Sequence, residues 1–424
     1  MISALLGHET GGIPMRILVQ KFGGTSLSTE NARELVIKHI KRELDQQYRL
    51  VVVVSAMGRK GDPYATDTLL DLIDSSGEVL PARERDLLLG CGEVISATLL
   101  CSLLQRHHIS SVVLNGAQAG FSTDQHFGNA RILGVYPKRV LEELELNKVV
   151  IVTGFQGQSQ GGELTTLGRG GSDTSATALG AALHAEIVDI YTDVDGILTA
   201  DPRIVEEAKK LVFVSYAEIC NMAHQGAKVI HPRAVEIAMQ SGIPIRVRST
   251  FSDEEGTLVA NPEGIRDVQV GVVDRYVTGI AYVANVTQIT IDAVGSNTDN
   301  LQLKVFQAMA ERDISVDFIN VTPHGVVYTV FDTEADKAQE LLEYLGFMPK
   351  LLRGCAKVSI IGGGINGVPG IMAKIVGALS EQNIPILQSA DSNTTIWVLV
   401  SKENMGQALR SLHAKFELGR ETNH

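Results

Sequence analysis

Four stretches of the chain carry residue types that could do chemistry. In "VQKFGGTS" (19–26) an apolar run, Ile17 to Val19, passes through Lys21 into Gly23 and Gly24. Glycine weakens a strand, so a Gly-Gly pair at a strand end needs a local reason. Either the turn needs positive φ, or a charged ligand such as phosphate must touch backbone N–H groups. The longer "TTLGRGGSDTSATALGAAL" (165–183) follows an apolar strand and opens a helix at about Ser172. Ser172, Asp173 and Thr174 are capping residue types. A helix N-terminus behind Gly170-Gly171 favours an anion, and Arg169 adds a guanidinium fork for a carboxylate or phosphate. Asp173 is the odd member, because an acid at an anion site either holds lysines in place or helps to organise a metal.

The other two stretches are "YTDVDGILTADPR" (191–203) and "GAKVIHPRA" (226–234). The first places Asp193, Asp195 and Gly196 at a strand end, where ligands of parallel sheets sit. It lacks the spacing of a calcium loop, having no acid in the third ligand position. In the second, Lys228 and Arg233 flank His231-Pro232. Lys228 suits a nucleotide phosphate or plain solvent, and His231, without a partner in sequence, reads as a packed or turn histidine.

These stretches need elements to position them. The 424 residues exceed one core and imply two or three domains. The chain is 44% hydrophobic and 20% charged, ordinary for a globular protein, and its net charge of −12 argues against nonspecific attraction to nucleic acid or anionic membrane. Cys91, Cys101, Cys220 and Cys355 form no CxxC pair, which points to a reducing cytoplasm rather than a disulfide framework. No apolar run in the sequence is expected to reach transmembrane length. Residues 1–14 lack the basic start of a secretion signal and read as a disordered extension, with folding expected from Met15.

From Met15 to about Val259, apolar runs alternate with helical patterns: "RILVQKF", "YRLVVVVSA", "ISSVVLN", "KVVIVTGF", "EIVDIYTDV" and "IPIRVRS" are separated by helices near 29–46, 65–106 and 172–184. Val51 to Val54 suits a strand buried on both faces. The alternation predicts an α/β fold, a mostly parallel sheet between helical layers. "ANPEGIRD" (260–267) reads as a linker. Beyond it, "KVFQAMAERDI" (304–314) repeats at an offset of 70 as "KIVGALSEQNI" (374–384), each followed by two strands and a second helix. This is an internal repeat of small α/β units, which usually pair their sheets side by side.

"VQKFGGTS", "VVVSAMG", "TTLGRGGSDTSA", "YTDVDGI", "ADPR" and "GAKVIHPRA" together resemble the aspartate kinase family, over about residues 15 to 415. The resemblance implies an amino-acid kinase catalytic domain (15–260), a linker (261–275) and two ferredoxin-like ACT units (276–354 and 355–424), with the strand 276–284 free to pair with the second. It implies transfer of the γ-phosphoryl of MgATP to the β-carboxylate of L-aspartate, the first step toward lysine, diaminopimelate, threonine and methionine. Mg²⁺ is expected on the phosphates, without a protein metal site. Lys21, Asp173 and Lys228 are then the catalytic set. Lys21, Phe22, Gly23, Gly24, Thr192, Asp193, Ile197, Leu198, Thr199, Ala200, Asp201, Pro202, Lys228 and Val229 face the nucleotide. Ser55, Thr66, Glu93, Arg169, Gly170, Gly171 and Ser172 face aspartate, with Arg169 on the α-carboxylate and Glu93 on the ammonium.

The repeats imply a free amino acid as feedback effector. The second keeps "GVPG" (367–370), and the first has Asp299-Asn300 where the family has Pro-Gly, which leaves lysine, threonine and diaminopimelate all open. Effector contacts are expected at Asp299, Asn300, Asp317, Asn320, Asn366, Val368, Pro369 and Asn393. A homo-oligomer through the ACT units is expected, with a shorter tail subunit as one form of it. Two rivals remain: a kinase of another amino-acid carboxylate, and a non-catalytic amino-acid sensor.

Overall fold

In a computed structural model of the chain, the described residues are 15–74, 80–227, 229–261, 276–293, 300–365 and 367–420. The expectations placed on residues 1–14, Lys228, Asp299 and Asn366, and on most of the linker, fall outside them. The described residues form two compact units. One holds those up to Ile197 and from Val229 to 261, and the other holds those from Leu198 to 227 and from 276 onward.

The first unit begins β1 (Ile17–Phe22), α1 (Gly24–Leu27), α2 (Glu30–Asp45), β2 (Arg49–Val54), α3 (Thr66–Asp74) and α4 (Ala82–Arg106). It continues β3 (Ser111–Leu114), β4 (Phe121–Thr123), β5 (Ile132–Val135), α5 (Lys138–Leu146), β6 (Val149–Thr153), β7 (Gln156–Ser159), β8 (Leu164–Thr166), α6 (Gly171–Ala182) and β9 (Ile187–Thr192). The chain then gives β10 (Phe213–Val214) and α7 (Tyr216–His224) to the other unit, and returns with α8 (Pro232–Ser241), β11 (Ile245–Ser249) and β12 (Thr257–Val259).

Within the first unit the main sheet runs β12-β11-β9-β1-β2-β6-β3, parallel except for β12 against β11. β2 shows why this sheet is covered on both faces: Leu50 to Val54 are all fully buried. Each such valine contributes roughly 1.5–3 kcal/mol through burial. β1 alternates. Leu18 and Phe22 join Val36, Ile40, Leu100 and Leu104 in the core against α2 and α4, while Lys21 points to the opposite face, where its ammonium meets Asp173 of α6. A side-chain cap fixes the start of α2, where Thr29 accepts from the Ala32 N–H at 3.2 Å.

The helix α4 corrects the sequence reading that no segment reaches membrane-crossing length. At 25 residues it is long and apolar enough by length and composition alone. Half of its apolar stretch is buried inside the unit, and it carries the buried acids Asp86 and Glu93, so it serves here as a core helix.

The second unit is built on β13 (Gly279–Asp292), α9 (Leu301–Glu311), β14 (Asp317–Thr322), β15 (Gly325–Phe331), α10 (Asp332–Tyr344), β16 (Lys350–Ile361), α11 (Ile371–Ser380), β17 (Gln388–Asp391), β18 (Thr395–Ser401) and α12 (Met405–Lys415). Its antiparallel sheet runs β14-β15-β13-β16-β18-β17. α9 and α11 start 70 residues apart, as the repeat required. β13 is shared: β16 pairs with it from Gly279 to Thr290, with bulges around Val286, and β15 pairs with Val286–Asp292 on its other side. One core gathers Val305, Met309, Tyr328 and Leu342 of the first repeat, and another gathers Val358, Ile375, Leu379 and Leu412 of the second.

Candidate active site and regulatory pocket

The parallel ladder sets Lys21 beside Val53 of β2 and Ile190 of β9, so the turns leaving these three strands share one edge of the sheet. Ligands of parallel α/β sheets bind at that edge. Lys21 Nζ lies 2.7 Å from Asp173 Oδ1, and both side chains are only 13% exposed. The other Asp173 oxygen accepts from the His231 N–H at 3.4 Å. Asp173 is thus ion-paired with a lysine, as the first of the two roles the sequence left for it requires.

The helix carrying Asp173 departs from the capped start expected of it. α6 begins at Gly171 with Gly170 as its N-cap in the left-handed region (φ 67°) and no side-chain cap. Thr174 and Ser175 instead turn their hydroxyls back onto the carbonyls of Gly170 and Gly171. The reason is crowding, because a Cβ on Gly170 would lie 2.1 Å from His231 Cγ. Ser172 is buried just inside the helix.

The glycine pair after β1 divides into two cases. A Cβ on Gly24 would stand 2.6 Å from the Gly58 carbonyl and 2.7 Å from that of Ala56, and the Gly58 N–H donates to the Gly24 carbonyl at 2.9 Å. Gly24 is therefore required by backbone packing. At Gly23 a Cβ would make only ordinary contacts, the nearest being Lys21 Nζ at 3.6 Å, so packing does not explain it. Its bare backbone leaves room beside the lysine ammonium. Phe22 is fully buried and stacks on Tyr191 at 4.6 Å between centroids.

On the side expected to face aspartate, Glu93 of α4 is 2% exposed and its Oε1 accepts from the Ala56 N–H at 2.9 Å. Its Oε2 is buried with no hydrogen-bond partner. Burial pushes this carboxyl up to about 8, against smaller lowering contributions from the Ala56 N–H and Gln156. Burial thus favours the protonated carboxyl, and a cation beside Oε2 would favour the ionised form. Ser55, whose N–H donates to the Phe22 carbonyl, and Thr66, at the start of α3, are half-buried. Arg169 is exposed, and no hydrogen bond or ion pair ties its guanidinium among the described residues. Arg233 is structural: it donates to the carbonyls of Leu167 and Ala130, at 3.0 Å each, and so pins the stretch before Gly168.

The expected nucleotide residues are spread between the units. In the first, Thr192 donates its hydroxyl to Asp193 at 3.1 Å, Ile197 is buried with its N–H on the Thr257 hydroxyl, and Val229 is half-buried. In the second, Leu198 bridges to Lys210, and Thr199 is buried with its hydroxyl 2.9 Å from His413 Nε2. Ala200 joins the core of the second repeat. Arg203 holds the Asp201 carboxyl below its ordinary value, and Pro202 lies between them.

Two residues escaped the sequence reading. Arg59, in the turn after β2, pairs with Asp193 in the turn after β9, and both are exposed. Asp86 is fully buried and accepts from the N–H of Gly128 and from the N–H and hydroxyl of Thr166, tying α4 to β8. Arg59 stood in plain view in "SAMGRK". Nothing in sequence marks Asp86 as inward, because it sits among charges at the polar start of its helix.

In the second unit a cavity of about 350 Å³ opens beside the N-terminus of α11. It is lined by Ile365, Gly367, Val368, Ile371, Met372, Ser389, Ala390, Asp391, Ser392 and Ile396. Gly370 caps α11 in the left-handed region, so the GVPG turn presents a helix N-terminus there. Of the expected effector contacts, Val368 lines this cavity, with Pro369 in the same turn and Asn393 just past β17. Asp317 and Asn320 lie on β14 of the first repeat, where Asp317 is engaged by the buried Lys357. Asn300 is the left-handed N-cap of α9.

A parallel α/β unit with a buried lysine–aspartate pair at its carboxyl edge, followed by a repeated regulatory α/β unit, defines an amino acid kinase with ACT domains. The amino acid kinase family profile matches residues 16–249 and an ACT domain profile matches 351–414. The chain belongs to the aspartokinases, ATP-dependent kinases of that family. It is 54% identical to aspartokinase 1 of Bacillus subtilis over 96% of this chain and all of that one. It is 39% identical to the aspartokinase of Thermus thermophilus, over 95% and 99% of the two chains. Among solved structures it is similar to E. coli aspartokinase III in complex with aspartate and ADP, with a TM-score of 0.77 and 27% identity over 94% of this chain and 99% of that one. The lysine and aspartate complex of the same enzyme matches with a TM-score of 0.72 and 28% identity, over the same shares.

Proposed function

We propose that the chain transfers the γ-phosphoryl group of ATP, entering as its magnesium complex, to the β-carboxylate of L-aspartate, giving 4-phospho-L-aspartate. The observation that carries this reading is the pair of Lys21 and Asp173 at the carboxyl edge of the sheet. A carboxylate is already a nucleophile, so the site needs no general base. Its tasks are alignment and the neutralisation of two approaching anions. Lys21 supplies a cation beside the open backbone of Gly23, and Asp173 keeps its ammonium there. The unpartnered oxygen of Glu93 suits the substrate ammonium, and the free Arg169 fork suits the α-carboxylate. Ser55, Thr66, Gly170, Gly171 and Ser172 complete that side, and Thr192 and Asp193 face the nucleotide. Mg²⁺ enters on the ATP phosphates.

The cavity beside α11 takes a free amino acid, an end product of the pathway such as lysine, threonine or diaminopimelate. Its size and the pairing of a helix N-terminus with Asp391 match a zwitterion. Assembly runs through the ACT units. The four cysteines are free, which supports a cytoplasmic setting.

Hydroxylamine trapping of the acyl phosphate tests the reaction, with aspartate, glutamate and acetylglutamate offered singly. The expected product is aspartyl hydroxamate. Hydroxamate from another carboxylate would replace the substrate, and none from any would leave an amino-acid sensor.

A further inference from the structure

Away from the catalytic edge, the first unit holds a second cavity, of about 530 Å³. It lies between the C-terminal half of α2, β11 and the turn after it, and reaches Leu18 and Ile187 near the opposite ends of β1 and β9. Three guanidinium groups, Arg42, Arg246 and Arg248, form its wall. Two buried carboxylates answer them. Asp189 takes both bonds from Arg246, at 2.8 and 2.9 Å, and Glu43 takes Arg42 Nε at 3.0 Å.

Arg248 has no such hydrogen-bonded carboxylate, and its guanidinium stands 5.7 Å from the centroid of the Tyr191 ring. It is 3% exposed, and its nearest carboxylate oxygens stand at 3.7 Å (Glu43) and 3.9 Å (Asp189), beyond hydrogen-bond reach. One amino group reaches the Glu254 carbonyl at 3.3 Å, and its Nε–H is buried with no acceptor. Glu186, Asp253 and Glu255 also line the cavity, so what singles out Arg248 is its buried N–H without an acceptor rather than an excess of charge. A buried donor left without an acceptor is costly. At the mouth, Glu186 is bound to Arg16 and Tyr48, and Asp253 to Lys38, while Glu255 is exposed. The acids of the rim are thus held outside or already paired, and none reaches the Arg248 donor.

We propose that this cavity is a binding site for a small molecule carrying one anionic group, a carboxylate or a phosphate, seated against Arg248 between Arg42 and Arg246. The volume accommodates a metabolite of amino-acid or sugar-phosphate size. The site lies next to the catalytic strand through the ladder. Asp189 pairs with Gln20 and is followed by Ile190, which pairs with Lys21. Arg42 also donates to the Tyr191 hydroxyl, whose ring stacks on Phe22.

The test is calorimetric titration of the full-length protein with its active site filled by aspartate and a non-hydrolysable ATP analogue. Inorganic phosphate and succinate are the probes, in separate arms. The expected result is one saturable site for at least one probe, weakened tenfold or more in Arg42→Ala. Arg42 is partly exposed, so this variant is expected to fold. Arg248→Lys, which keeps the charge and loses the fork, gives the second reading and is expected to weaken the same site. A phosphate-only or succinate-only response names the class of ligand. Absence of saturable binding for both probes, or equal affinity in wild type and Arg42→Ala, would overturn the proposal. So would a wild-type oligomer that dissociates in Arg42→Ala, which would put a second copy's carboxylate in the cavity.

Discussion

Lys21 and Asp173 come from strand and helix 152 positions apart and meet at 2.7 Å, each nearly enclosed. The lysine leaves β1 toward the face that α6 covers, and the aspartate stands in the first turn of that helix. Removing either leaves the other charge without its partner beside an anion site. Lys21→Ala and Asp173→Ala are each expected to lower kcat by about a hundredfold or more with the fold retained. Near-normal turnover in purified, folded Lys21→Ala protein would remove its role.

Glu93 makes the pH dependence specific. Its carboxyl titrates at about 8 in the folded chain, against 4.5 ordinarily, because burial disfavours the charge. The folded chain therefore holds this proton more tightly than the unfolded chain. Stability is expected to fall as pH rises from about 4.5 toward 8, and Glu93→Gln flattens that stretch of the curve. Substrate capture has the opposite sign, because the ammonium needs the ionised form. In wild type, kcat/KM for aspartate should climb through an apparent pKa near 8, and that step should vanish in Glu93→Gln. Profiles of the two proteins across pH 6 to 9 check both.

Arg169 is exposed and untied among the described residues, so Arg169→Ala should leave the melting temperature almost unchanged. Its expected effect is a loss of roughly ten- to a hundredfold in kcat/KM for aspartate, with little change in KM for ATP. An equal loss for both substrates would assign the fork to phosphate.

Gly170→Ala tests how the α6 start is made. The new methyl would enter a left-handed position 2.1 Å from His231 Cγ, so α8 or the turn must shift. Destabilisation of about 1 kcal/mol or more is expected, together with a lower kcat, since the His231 N–H and Asp173 move as one. Chemical denaturation and steady-state kinetics on the same preparation would show whether the two losses travel together.

Asp391 lines the cavity beside α11 and is exposed. Asp391→Ala is expected to raise the concentration of inhibiting amino acid needed for half effect by about tenfold, with uninhibited kcat unchanged. Assays with lysine, threonine and diaminopimelate added singly identify the effector and measure this shift.

Much of this arrangement was legible beforehand. The valine run of β2 announced a doubly covered strand, and the 70-residue offset announced the paired repeats, because burial and repetition leave their pattern in residue type. Lys21, Asp173 and Arg169 stood out because charge beside glycine is unusual. What sequence hid were matters of direction and approach. Gly24 and Gly23 look alike in "FGGTS", yet one is demanded by two carbonyls and the other is not. Ser172 and Thr174 have the right chemistry to cap α6, but His231 crowds the turn and a bare glycine takes the place. Asp86 points inward from a helix start that reads as solvent-facing, and Arg59 reaches Asp193 from a turn 134 residues away.

The single strand β13 has a mechanical consequence. Its C-terminal half lies between β15 and β16, and its N-terminal half pairs with β16, so neither repeat closes its own sheet. A cut between the repeats would strip one of them of an inner neighbour rather than separate two finished parts. A strain applied at either end of those fourteen residues is felt by both repeats at once, as a beam common to two rooms carries a load from one to the other.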